Sequence, residues 1–346
     1  MVLLRKLATV GWRQSVVLRL ARFVAVAGAA LFAADLLRVS VVHTQASQNA
    51  PTKVRLPDDA VGLDAIARAL IAAYDQADVL ALGEWHGQFS LDADLRLALV
   101  RHPDFAKRVR SVVVECASTT EQATLDRYIQ GENVTRAQLE QVWKTTTQAN
   151  NGLCEDPMYT GFLAAVRDVN SKLPADARIR VLGGDPGPGD NRSRETAAVA
   201  VLEEQVLQKR GKALVIYGAA HFYRTFPSAM LPTMGDDIGL VKKLEADYPG
   251  RTLVVIPMGP LDRPRAVTED SVPDFAKFDR ALRTPSRPVL VSLLQLPFRD
   301  FKAEEFLGRT VTTCGRGRGC MSAFKSSPLT LGQIADACIY IGGGAK

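Results

Sequence analysis

Residues 57–346 alternate between short, nearly continuous apolar runs and longer stretches whose apolar residues fall three and four apart. The short runs, 78–82, 111–115, 179–182, 213–217, 252–257, 289–293 and 337–341, predict strands covered on both faces, because a half-exposed strand would alternate apolar with polar positions. The longer stretches, 63–77, 91–102, 119–130, 136–145, 158–173, 194–209 and 239–248, predict helices. Ser118 with Glu121 and Thr135 with Gln138 stand at capping-box spacing, Asp156-Pro157 marks another helix start, and Gly211 follows the end of a long helix. Strand and helix in alternation predict an α/β fold, with a mainly parallel sheet, helices on both faces and a site at the carboxyl ends of the strands. The proline-interrupted stretch 259–288 reads as an irregular excursion within an otherwise single domain spanning 57–346.

Residues 1–56 follow a different pattern. Arg5, Lys6, Arg13, Arg19 and Arg22 precede the uncharged run 23–34, which Asp35 closes. That run is shorter than the roughly 20 residues a membrane-spanning helix needs, so the order of charges and apolar residues predicts a signal peptide. An uncleaved membrane anchor followed by a stem, and an ordinary amphipathic helix, stay open. Export would place the domain outside the cytoplasm, periplasmic or secreted.

Charge changes the picture in one respect. The net charge of +6 invites a nucleic-acid partner, but eight of the 43 Lys and Arg lie in residues 1–56 beside a single Asp. The other 35 basic side chains face 36 acidic ones, so the folded body has no basic excess for a phosphate backbone. The five cysteines, Cys116, Cys154, Cys314, Cys320 and Cys338, are an odd number. Only Cys314 and Cys320 have informative spacing, bracketing a Gly- and Arg-rich loop that a disulfide could close in an oxidising compartment.

Two of the four histidines share a setting. Strand 78–82 runs into Gly83-Glu84-Trp85-His86-Gly87, and strand 213–217 into Gly218-Ala219-Ala220-His221, so each histidine stands three residues past a glycine at a strand end. A glycine there lets the chain turn sharply while the following residues face the crevice of an open α/β sheet. The strand ends at Glu115 and Asp185 would add carboxylates to the same rim. Carboxylates and imidazoles converging in a crevice bind a divalent metal or move protons in hydrolysis. Glu84, His86, Glu115 and His221 are therefore the candidate catalytic residues, and the same four are the candidate metal ligands. Arg96 and Arg167 would reach the rim from helices as anion partners, with Asp185 and Tyr223 beside them. No nucleophile elbow, Walker loop or dinucleotide fingerprint stands where it should, which excludes serine hydrolases, nucleotide hydrolases and nicotinamide dehydrogenases.

These paired Gly-x-x-His motifs, the first with its adjacent glutamate, together with Glu115, resemble the EreA/ChaN superfamily of erythromycin esterases, haem-binding lipoproteins, and TraB and Tiki proteins. The resemblance covers roughly residues 62–343. It implies a parallel α/β sheet with Glu84, His86, Glu115 and His221 as the site at its carboxyl edge. The first motif is one residue tighter than the erythromycin esterase form, and Arg224 stands where that subfamily carries another histidine.

Three functions follow as expectations. The first is an extracytoplasmic hydrolase of ester or amide bonds in a small molecule or peptide, either with a divalent ion or with a histidine base oriented by Glu84 or Glu115. The second, from the ChaN resemblance and the aromatic trio Tyr217, Phe222 and Tyr223, is binding of haem or another iron compound. The third is a relative that keeps the fold as a scaffold.

Overall fold

The computed structural model describes residues 54–57, 60–85, 90–149, 154, 157–229, 239–260, 275–307, 312–314, 320–322 and 324–343. The leader, Asp156 and His86 lie outside them.

An eight-stranded sheet organises the body, in the order β1-β7-β10-β6-β2-β5-β3-β4. Its strands are β1 (Ala60–Val61), β2 (Val79–Glu84), β3 (Ser111–Ser118), β4 (Arg180–Asp185), β5 (Ala213–Gly218), β6 (Thr252–Met258), β7 (Val289–Ser292) and β10 (Ala337–Tyr340). From β10 to β4 every neighbouring pair is parallel, while β7 runs antiparallel to β10 and β1 antiparallel to β7. The seven apolar runs are thus all strands. A separate hairpin, β8 (Thr312–Cys314) with β9 (Cys320–Ser322), sets Cys314 opposite Cys320 in backbone register; their side chains are outside the described residues.

Alternation along each strand feeds two cores. Leu80, Leu82, Val112 and Val114 join one apolar cluster, whereas Val79, Ala81 and Val113 join the other. Helices α1 (Leu63–Ala73), α2 (Ser90–Arg101), α3 (Gln122–Gln130), α4 (Arg136–Lys144) and α5 (Pro157–Ser171) cover the first face. Helices α6 (Arg194–Leu202), α7 (Leu240–Asp247) and α8 (Phe275–Ala281) cover the second.

Local chemistry explains several boundaries. Thr135 and Gln138 form the reciprocal capping box their spacing predicts, and Ser193 caps α6 by accepting from the Thr196 N–H. Ser118 differs from its expectation: its hydroxyl accepts from Thr120, and the chain makes a 3-10 turn over Thr119–Glu121 before α3 starts. The helix expected over 194–209 changes into a π turn at Glu203–Leu207, and Arg210, not Gly211, takes the left-handed conformation after it, with φ of 56°. Within the stretch 259–288, residues 275–281 form α8; the part from 261 to 274 is outside the described residues.

Candidate functional site

Four neighbouring parallel strands, β2, β5, β3 and β4, carry Glu84, the His221 motif and Asp185 at or just beyond their carboxyl ends, and Glu115 within β3, which runs on to Ser118 instead of finishing at Glu115, just after its regular pairing with β4 breaks at Val114. The sheet divides these residues between its two faces.

On the α2/α5 face, Glu84 follows Leu80 and Leu82 in the alternation and is 1% exposed. Its carboxylate accepts a hydrogen bond from the Tyr159 hydroxyl on α5 and pairs with Arg96 on α2, Nη1 to Oε2 at 2.9 Å. Arg96 donates its Nε to the Asp92 carbonyl one turn earlier, at 3.0 Å, and stacks over the Tyr159 ring, 5.1 Å from its centroid. Asp92 in turn accepts from the Trp85 N–H at 2.8 Å, which holds the chain leaving β2 against α2. Burial and the adjacent Glu84 charge push the Tyr159 hydroxyl well above an ordinary phenol pKa, so it stays a donor. A small recess opens beside this group, lined by Glu84, Asp92, Arg96, Ile216, Pro257 and Ile339.

On the α6 face, Glu115 is fully buried, with both of its oxygens engaged. Arg194, the first residue of α6, pairs with Oε1, and the Gly218 N–H donates to Oε2 at 2.7 Å. His221, in the 3-10 turn Ala219–Phe222 after β5, points its Nε2 at Glu115 Oε1 across 3.5 Å and its Nδ1 at Glu195 Oε1 across 2.6 Å. The Tyr217 ring meets the imidazole edge-on, at 5.7 Å between centroids. Burial alone would lower the His221 pKa, but the Glu115 charge and the bonds to Glu115 and Glu195 outweigh it and push it up to about 9. Burial likewise opposes ionisation of Glu195, yet its bond to His221 and the charge there hold it below the usual carboxylate range. Arg194 is the most exposed member, at 25% of its side chain, against 0% for Glu115 and 7% for His221.

Gly83 serves close contact instead of turning. Neither Gly83 nor Gly218 has a positive φ. A Cβ on Gly83 would sit 2.9 Å from Ala219, because the chain after β5 folds back across β2. At Gly184 a Cβ would overlap the Tyr217 hydroxyl.

Three expected site residues do other work. Arg167 donates to the carbonyls of Tyr128, Gly131 and Glu132, satisfying the end of α3 instead of reaching the rim. Asp185 is buried at the end of β4 and accepts from Thr147 N, Thr147 Oγ1 and Gly187 N, so its carboxylate fastens two loops. Tyr223 is fully buried among Phe226 and Phe324. Tyr217 and Phe222 are buried too, so the aromatic trio that suggested a haem slot fills the core. Arg224 is drawn into a network with Asp336, Glu245 and the Thr252 carbonyl.

Tyr159, Arg194 and Glu195 were not legible as site residues. Tyr159 reads as part of an apolar helix face, and Arg194-Glu195 as the polar first turn of a capped helix. A disulfide, Cys116–Cys154, joins the residue after Glu115 to the segment preceding α5, a pair that spacing did not single out. Among the described residues no group of three His, Cys, Asp or Glu side chains is arranged to hold a metal ion. Both glutamates moreover already carry a guanidinium, and Glu115 also carries an imidazole, so these donors do not fit a cation.

No family model and no curated protein matches the sequence. Solved structures do. A protein of Bacillus cereus superposes over 82% of this chain and 94% of its own, with a TM-score of 0.52 and 13% identity. A mutant of the erythromycin esterase EreC in its open conformation matches over 84% of this chain and 98% of its own, at TM-score 0.51 and 9% identity. A succinoglycan biosynthesis protein matches over 77% and 88%, at TM-score 0.50 and 11% identity. The chain has the fold of these proteins.

Proposed function

We propose that the chain is a hydrolase of ester or amide bonds that acts outside the cytoplasm on a small molecule or peptide. The observation that carries this reading is the buried His221 imidazole, clamped between Glu195 and Glu115 beside Arg194 at the carboxyl edge of a parallel sheet. With a pKa near 9, His221 is an imidazolium at neutral pH. It therefore acts as an acid, not as the base that a free histidine would supply. Together with Arg194 it places two positive groups where a carbonyl oxygen gains charge as water attacks.

The base falls to His86, two residues after Glu84 in sequence. In this scheme the oxygen of water bonds to the carbonyl carbon while His86 takes a proton from it. The C–O or C–N bond then breaks with its electron pair going to the leaving atom, and that atom takes the proton from His221. Glu84, Arg96 and Tyr159 fix the end of the strand that precedes His86 in sequence. The fold shared with an erythromycin esterase supports the ester branch at the level of fold alone. The Cys116–Cys154 disulfide supports an oxidising, extracytoplasmic setting, as does the charged-then-apolar leader.

The test is turnover of a panel of nitrophenyl esters and amino-acid nitroanilides by the whole chain and by His221→Gln. The proposal expects hydrolysis of at least one probe class and a loss of about 100-fold or more in the variant. Equal turnover by the two proteins would overturn it.

A further inference from the structure

The two nitrogens of His221 are not equivalent. Nδ1 lies 2.6 Å from Glu195 Oε1, a short charge-assisted hydrogen bond, whereas Nε2 lies 3.5 Å from Glu115 Oε1, a much longer and weaker contact. Glu195 is set on the first turn of α6, which Ser193 caps, so its approach comes from a fixed element. Glu115 is already engaged by Arg194 and the Gly218 N–H. The Tyr217 ring closes a further side of the imidazole. When one proton leaves the ring, the shorter bond keeps the other.

We propose that Glu195 is a positioning residue that retains the His221 Nδ1 proton and so makes Nε2 the nitrogen that gives up its proton at the rim. The inference rests on the hydrolase reading for its purpose, though its geometry stands apart from that reading. In the reaction, the Nε2 proton passes to the leaving oxygen or nitrogen as that atom takes the electron pair of the broken bond. The neutral imidazole keeps Nδ1–H against Glu195 and recovers the Nε2 proton from water. A histidine left to itself carries its single proton on Nε2, the reverse arrangement, so the carboxylate decides which atom does the chemistry.

The experiment is nitrogen NMR of histidine-labelled whole chain at about pH 10, above the His221 pKa, with His221→Gln to assign the signals. Wild type is expected to show His221 with a protonated Nδ1 and a bare Nε2. Glu195→Ala is expected to reverse that tautomer and to lower kcat on a nitrophenyl ester by about 100-fold or more, with little change in KM. Glu195→Gln, whose amide oxygen can still accept from Nδ1, is expected to keep the tautomer and much of the folding stability. A wild-type His221 protonated on Nε2, or Glu195→Ala with an unchanged tautomer, would overturn the proposal. Failure of every probe to turn over would instead strike the hydrolase reading, with the tautomer still deciding whether Glu195 holds Nδ1.

Discussion

Glu84 and Glu115 stand on opposite faces of one sheet edge, separated by a single strand. Gly218 of β5 is the register partner of Glu84 and donates its N–H to Glu115. Each glutamate has one arginine, Arg96 on the α2 side and Arg194 on the α6 side. The edge therefore carries two separately neutralised carboxylates joined through backbone, where one shared cluster was expected.

The Glu84–Arg96 pair is buried on both sides, at 2% and 1% side-chain exposure. Removing one partner strands the other charge in the core, which costs about 3–5 kcal/mol. Arg96→Met should lower unfolding free energy in urea by that amount, and adding Glu84→Gln should recover part of it. A loss below about 1 kcal/mol in Arg96→Met would mean the pair is solvated.

Gly184 is tied to Tyr217. Gly184→Ala would press its methyl group into the Tyr217 hydroxyl, and overpacking of this kind costs about 1–3 kcal/mol. Because the nearest approach is to the hydroxyl, with the ring carbons Cζ and Cε2 behind it at 2.9 and 3.0 Å, Tyr217→Phe should relieve part of the penalty in the double variant. Additive losses in thermal unfolding would place the hydroxyl elsewhere.

Alkaline pH should weaken the fold through His221. Its pKa is raised from 6.5 to about 9, so its stabilisation is complete below 6.5 and is lost as pH climbs through 9. Urea midpoints compared at neutral pH and above 9 should fall more steeply for wild type than for His221→Gln. Parallel lines for the two proteins would show that the imidazole titrates at its ordinary value.

The Cys116–Cys154 bridge closes a loop across a sequence separation of 38. Replacing both cysteines by alanine should cost about 2–5 kcal/mol, by freeing the unfolded chain. Cys116 adjoins Glu115 and Cys154 precedes the helix that carries Tyr159, so ester turnover should fall with it. A stable, fully active double variant would make the bridge incidental to the site.

Much of the fold was legible because the strands are apolar on both sides: Val79–Glu84 and Ala213–Gly218 are buried at every position. The antiparallel turn of β7 was not, since direction leaves no trace in so short a run. The place of His221 just past a strand end was readable, whereas Glu115 lies within β3, which continues to Ser118 beyond the expected end. Arg194, Glu195 and Tyr159 were not, because each sits where helix capping or helix packing already accounts for its residue type. Gly83 was noticed for the wrong cause: what requires it is Ala219 crossing the strand.

The most direct test of the account is the pH profile of kcat/KM for a hydrolysed nitrophenyl ester. The account predicts an alkaline limb near pH 9, reporting loss of the His221 proton, that disappears in His221→Gln along with most of the activity. A profile that stays flat through pH 9, or a limb that survives in the variant, would contradict it.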